Sequence, residues 1–244
     1  MFRHKGKSRA YIHNLRLASL LSFVAGIVNI TGVLAVKVLT TNVTGHFAYF
    51  SEDVFMGDYQ VATIYIVFVL AFLFGAFLSN FLIEAVPRKY ESLSYTVPLA
   101  IEVSILCLVG LFGIPSSLLD AHGQLISCAM LFAMGLQNAL VTKVSQSVVR
   151  TTHLTGLFTD LGIELSQLFF YRDYIHRKRL QKSIFLKLAI IGCFFFGCLL
   201  GGMAYKTMEL KTLLVAAGAL VCTLFYDNIR MRYYHLKRKI QWWQ

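Results

Sequence analysis

TTNVTGHF, Thr40 to Phe47, returns as TTHLTGLF, Thr151 to Phe158, and this pair decides how the chain is organised. Upstream, Phe23, Gly26 and Asn29 recur as Phe132, Gly135 and Asn138 at one constant spacing. Downstream, FLFGAFL (Phe72 to Leu78) aligns without gaps with FFFGCLL (Phe194 to Leu200). The chain therefore reads as an internal duplication. Each unit runs as an apolar span, a Thr-rich break with a short segment, and two further spans. An odd number of crossings per unit turns the second copy over relative to the first, giving inverted topology about a pseudo-two-fold axis in the membrane plane.

Composition agrees with a bilayer setting. The 244 residues are 57% hydrophobic and 14% charged, against about 25% charged in soluble domains. That excludes an ordinary soluble domain, and three prolines with no Ser/Gly tract argue against linkers or an attached soluble enzyme. Crossing about 30 Å of hydrocarbon takes about 20 helical residues. Six stretches qualify: Leu17 to Leu39, Val61 to Ile83, Tyr95 to Ile114, Gly123 to Thr142, Ile184 to Tyr205 and Thr212 to Tyr226. The expected fold is an all-α integral membrane protein with six transmembrane helices in two inverted three-helix repeats. The repeats occupy residues 17–116 and 123–228, between basic segments at 1–16 and 229–244. The first span reads as an anchor, because no convincing small-residue cleavage site follows the basic start.

Orientation follows from charge. Of 23 Lys and Arg, only Lys37, Lys206 and Lys211 fall on one side of this arrangement. The basic side faces the cytoplasm, so both termini are expected there. Counting the two short segments as crossings would move Arg88, Lys89, Lys143 and Arg150 outside. They therefore read as re-entrant or interfacial elements. The net charge of +11 suits anionic lipids at the cytoplasmic face, through runs such as His176 to Arg179 and Lys237 to Lys239, at about 1 kcal/mol per basic residue. No nucleic-acid-binding module accompanies the charge.

The short segments, about Thr44 to Met56 and Thr155 to Phe169, share one chemistry. β-branched Val36 and Val38, or Val148 and Val149, favour extended backbone. Thr-Thr and then Thr-Gly follow, and Thr and Gly are good helix N-caps. The expected shape is an extended strand followed by a half-helix whose unpaired N–H groups attract an anion or a carbonyl oxygen. Inverted symmetry would bring the starts at Thr44/Gly45 and Thr155/Gly156 together near the midplane. Thr40, Thr41, Thr151 and Thr152, with Asn42, His46 and His153, would supply further polar contacts. The competing reading is that these residues merely cap short interfacial helices. Mid-span Asn29, Gln137 and Asn138 need partners; they either line the cavity or only hydrogen-bond the broken backbone across the pseudo-two-fold.

Glu102, seven residues into span three, is an intramembrane carboxyl and a coupling candidate. It binds protons or cations, pairs with Lys37 or a basic loop residue, or sits protonated or wet near the cytoplasmic end. Its repeat counterpart is Ala217. Asp160 and Glu164 either line a pathway or serve the dipole of the second half-helix. Ala71, Gly75 and Ser79, and Cys193, Gly197 and Gly201, form matching small-residue ladders suited to packing between repeats or between subunits of a homo-oligomer. The five cysteines lie in apolar runs and read as small core hydrophobes. Trp242 and Trp243 suit the cytoplasmic interface. Nucleophile, zincin, dinucleotide and P-loop motifs are missing, so no catalytic residue, metal or cofactor is expected and the chain is not read as an enzyme.

The run MGLQNALVTKVSQSVVRTTHLTGLFTDLG (Met134 to Gly162), with GIVNITG (Gly26 to Gly32) and NVTGHF (Asn42 to Phe47), resembles the YoaK-like family of bacterial six-helix membrane proteins. The resemblance covers nearly the whole chain and implies a multi-pass inner-membrane protein of a domain of unknown function, with at most a suspected transport role. Such proteins typically carry an acidic residue where this chain has Asn29, and Asn where it has His46. The missing carboxylate weighs against carrying proton or cation coupling over from relatives. The leading expectation is a transporter or facilitator of a small anionic or carbonyl-bearing solute, bound between the repeats. The alternative is a non-transporting scaffold that binds anionic lipid or a partner.

Overall fold

The computed structural model describes residues 11–86, 91–112, 119–145, 149, 151–171 and 173–224, and no strand occurs among them. The helices are α1 (Tyr11–Val36), α2 (Val43–Met56), α3 (Tyr59–Ala85), α4 (Glu91–Phe112), α5 (Leu119–Ser145), α6 (Leu154–Phe170) and α7 (Tyr174–Met208). A 3-10 turn at Glu209–Lys211 then leads into helical residues 212–224, here α8. Most of the basic N-terminal segment, the tail 229–244 with both tryptophans, Val148 and Arg150 lie outside the described residues.

Among the described residues, five helical stretches are long and apolar enough to cross a membrane: Asn14–Val36, Tyr59–Ala85, Ser94–Phe112, His122–Ser145 and Tyr174–Leu224. The last holds 51 residues, about 75 Å at the helical rise, and is interrupted where Glu209 turns to φ 48° and ends α7. Long rows of apolar side chains stay exposed on α3 (Leu70, Leu73, Phe74, Phe77, Phe81) and on α7 (Phe195, Phe196, Leu199, Leu200, Met203). Water would not tolerate such patches, whereas lipid does. The chain is a multi-pass membrane protein.

The inner helices are α1 and α5, whose most apolar windows are 50% and 61% buried, against 17% for α3. Leu17, Leu21 and Ile27 of α1 and Met130, Leu131, Met134, Leu136 and Leu140 of α5 are among the largest fully buried side chains. α1 packs mainly on α7, and α3 on α5. Both crossings are made by glycine. A Cβ on Gly26 would strike the Phe194 carbonyl, and one on Gly197 the Phe23 carbonyl; in the other pair, Gly75 meets the Phe132 carbonyl and Gly135 that of Phe72. The four residues of one crossing are the sequence counterparts of the four in the other. Backbone contact of this kind lets dispersion and weak Cα–H···O contacts hold helices where lipid supplies no hydrophobic drive. The small-residue ladders thus join one half of the chain to the other: Gly201 packs on Ile27 and Ile30, and Ser79 is buried.

Local stops follow from single residues. α1 remains helical through Val36, then ends as Lys37 adopts φ 58° and the Val38 N–H reaches the Gly32 carbonyl at 3.3 Å. The expected extended strand is not formed at Val36; α1, packed along α7 and α5, overrides the β-branched preference. Gly57, at φ 88°, closes α2 and turns the chain straight into α3. The cysteines are free; four are half-buried and Cys222 is exposed, so none is a fully buried core residue.

Candidate functional site

The first break, residues 37–42, is organised by an amide from inside α1. Asn29 Oδ1 accepts from the Thr41 backbone N–H at 3.3 Å and from its hydroxyl at 3.0 Å. In the second half, Asn138 Oδ1 accepts from the hydroxyls of Thr152 at 2.8 Å and Thr151 at 3.3 Å. Asn29 and Asn138 are sequence counterparts, as are Thr41 and Thr152, so the same bond is made twice. Among the described residues each Asn bonds within its own half of the chain. Ser145, which sequence reasoning missed, also fastens the second break: its hydroxyl accepts from the Val149 N–H at 3.0 Å and donates to the Val149 carbonyl at 3.2 Å.

The helix starts differ from expectation. Asn42, not a threonine, caps α2 by accepting from the Gly45 N–H at 3.1 Å; His153 stands at the equivalent place before α6 without a side-chain cap bond. The glycine of each Thr-Gly makes room for that residue three positions back. A Cβ on Gly45 would press on the Asn42 side chain at 3.2 Å, and one on Gly156 would overlap the His153 ring. Thr44, Thr155, Asn42 and His153 are exposed, whereas Thr40 and Thr151 are fully buried. The short helices do not make their main contacts with each other: α2 packs on α3, and α6 on α7.

His46 is 2% exposed and lies against Tyr65 and Phe68, with ring centroids 6.0 and 5.6 Å away. Its Nε2 is 2.9 Å from the Leu39 carbonyl. A carbonyl only accepts, so Nε2 carries hydrogen, and in the neutral ring Nδ1 presents a lone pair. That Nδ1, the Thr40 hydroxyl and Gln137 Oε1 are buried without a partner among the described residues. Gln137 spends its other end on the Leu21 carbonyl at 2.9 Å, tying α5 to α1. Buried polar atoms without partners are uncommon, and each of these three keeps hydrogen-bonding capacity unused among the described residues. No group of His, Cys, Asp and Glu suited to a metal occurs among the described residues.

A second polar contact, also missed, holds α6 to α7. Glu164 Oε1 accepts from Lys187 Nζ and from the Ser183 hydroxyl, both at 2.7 Å, and Lys187 Nζ also donates to Ser183 at 2.9 Å. A lone lysine in the first turns of an apolar span needs such a partner, and that was the available signal. Glu164 is therefore a packing residue of α6. Glu102 lies apart on α4, fully buried, with neither oxygen bonded among the described residues. Lys37, a partner considered for it, is exposed.

Residues 17–226 match the family model described as a protein of unknown function, DUF1275. The chain belongs to this family. The match spans α1 through α8 and both polar breaks, and the narrower YoaK-like resemblance is compatible with it. Neither a curated protein nor a solved structure matches the chain.

Proposed function

We propose that this DUF1275 protein is a bacterial inner-membrane transporter or facilitator of a small solute, with six spans in two inverted repeats and both termini in the cytoplasm. The observation that carries the reading is the paired polar break, held in each half by the same Asn–Thr bond. A packed membrane helix has little reason to unwind twice at equivalent places unless the freed polar groups line a pathway. The matched glycine crossings of α1 with α7 and α3 with α5 support inverted repeats. The halt at Glu209 supports two crossings in the last apolar stretch.

Within this reading, the solute meets buried rather than exposed groups. The Thr40 hydroxyl donates to a carbonyl or anionic group, and His46 Nδ1 accepts from a donor on the same solute. One half then rocks on the other about the glycine crossings. The protein catalyses no reaction and requires no cofactor. Proteoliposome flux tests the proposal with a panel of small carboxylates and amides, comparing the wild type with Thr40→Val and His46→Phe. Flux that both variants lose while keeping their elution profile supports it. A wild type that carries no solute, or variants with undiminished flux, sinks it.

A second reading has its own observation. The first turns of α7 hold Arg177, Lys178, Arg179 and Lys182 exposed on a helix of 35 residues, about 52 Å long and overhanging a 30 Å core. Such an extension suits anionic headgroups. Selective retention of anionic lipid by a protein that moves no solute favours a lipid-binding scaffold.

A further inference from the structure

Glu102 is fully buried on α4 in a stripe with Tyr95, Leu99 and Leu106, all buried. Both carboxyl oxygens lack a hydrogen-bond partner among the described residues. The described charged side chains on the elements packed against α4 are engaged or exposed elsewhere. Glu84 on α3 and Lys143 on α5 pair with each other at 2.6 Å; His122 on α5 and Glu209 and Lys211 in the 3-10 turn are exposed. Gly110 brings α8 close, since a Cβ there would lie 3.0 Å from Leu214 Cδ2, yet the described part of α8 has no charged residue.

Packing does not call for a carboxyl here. The counterpart of Glu102 in the second half is Ala217, also buried, so the same architecture is built with a methyl group. Among the described residues an ionised carboxylate in this place has nothing to balance it, and a neutral one still leaves its donor and acceptor unused; either state is costly relative to an apolar side chain. A metal cation would need several ligands at once, and no group of three His, Cys, Asp or Glu is gathered among the described residues. A proton needs only the carboxyl.

We propose that Glu102 is an exchangeable proton-binding site in the membrane interior, loaded when α4 is packed in the bundle and emptied when that packing opens to water. This deepens the transport reading by giving it a driving ion, but its test requires no solute. The full-length protein in detergent is treated with dicyclohexylcarbodiimide, which reaches protonated carboxyls in apolar surroundings, or with a water-soluble carbodiimide and an amine, and Glu102 is mapped by mass spectrometry. Labelling by the apolar reagent alone, falling reversibly as pH is raised, is the expected result. Equal labelling by the soluble reagent, no labelling by either, or labelling that ignores pH overturns the proposal. Glu102→Gln keeps the shape and should elute and melt like the wild type while losing the label; a variant that unfolds makes the carboxyl structural and also overturns it. Absence of solute flux leaves these outcomes untouched, so the two readings fail separately.

Discussion

Asn29 and Thr41 are joined twice across the end of α1, by the threonine backbone N–H and by its hydroxyl, on one amide oxygen. The helix interior thereby dictates how the chain leaves it. Because Asn138 repeats the arrangement with Thr152 and Thr151, these amides fasten both breaks.

Asn29→Leu and Asn138→Leu should each lower stability by about 1–3 kcal/mol, since part-buried donors lose their acceptor. Asn29→Asp keeps the acceptor oxygen and should lose less. Thermal unfolding in detergent checks this; an Asn29→Leu protein that melts with the wild type removes the fastening role.

Glycine substitutions should separate into two groups. Gly26→Ala, Gly75→Ala, Gly135→Ala and Gly197→Ala each drive a methyl into a neighbouring backbone carbonyl and should cost about 1–3 kcal/mol or more. Gly162→Ala, Gly192→Ala and Gly218→Ala meet nothing within 4 Å and should gain up to about 1 kcal/mol from helix propensity. Expression and melting of all seven variants test the division, and no difference between the groups would remove the close crossings.

Lys187→Met should destabilise the α6–α7 contact by about 1–3 kcal/mol, because Glu164 is left largely buried with only Ser183. Adding Glu164→Gln should recover most of the loss. Strictly additive losses in the double-mutant cycle would show that the pair is uncoupled.

The first turn of α7 should loosen in acid. Asp173 caps it, accepting from the His176 N–H at 3.2 Å with the ring Nδ1 at 2.7 Å. These bonds hold its carboxyl below the ordinary value of 3.8. A carboxyl lowered in this way contributes stability above its ordinary value, which is lost as pH falls through the lowered one. Hydrogen exchange at residues 174–177 should therefore quicken only in strong acid, and Asp173→Asn should abolish that dependence.

Much of the architecture was legible because it is written in local pattern. The short helices were expected at Thr44 to Met56 and Thr155 to Phe169, and α2 and α6 begin and end within a residue of those limits. The glycine ladders were legible as packing faces, since a small residue every fourth position makes a groove in any helix. The site was less legible. Thr44 and Thr155 looked like the capping groups, yet Asn42 and His153 hold those places, and the glycines serve them. Exposure divided the threonines in a way their shared motif concealed.

The amino-acid sequence by itself determined the membrane setting, the recurrence of the motifs and the positions of the breaks, because hydropathy and recurring motifs are properties of the chain read along its length. Only the tertiary structure decided that Asn29 reaches Thr41, that Glu164 finds Lys187, and that Glu102 is enclosed with no partner among the described residues. A polar side chain's state depends on which helices close around it. That closure is set by glycine contacts between α1 and α7 and between α3 and α5, far apart in the chain.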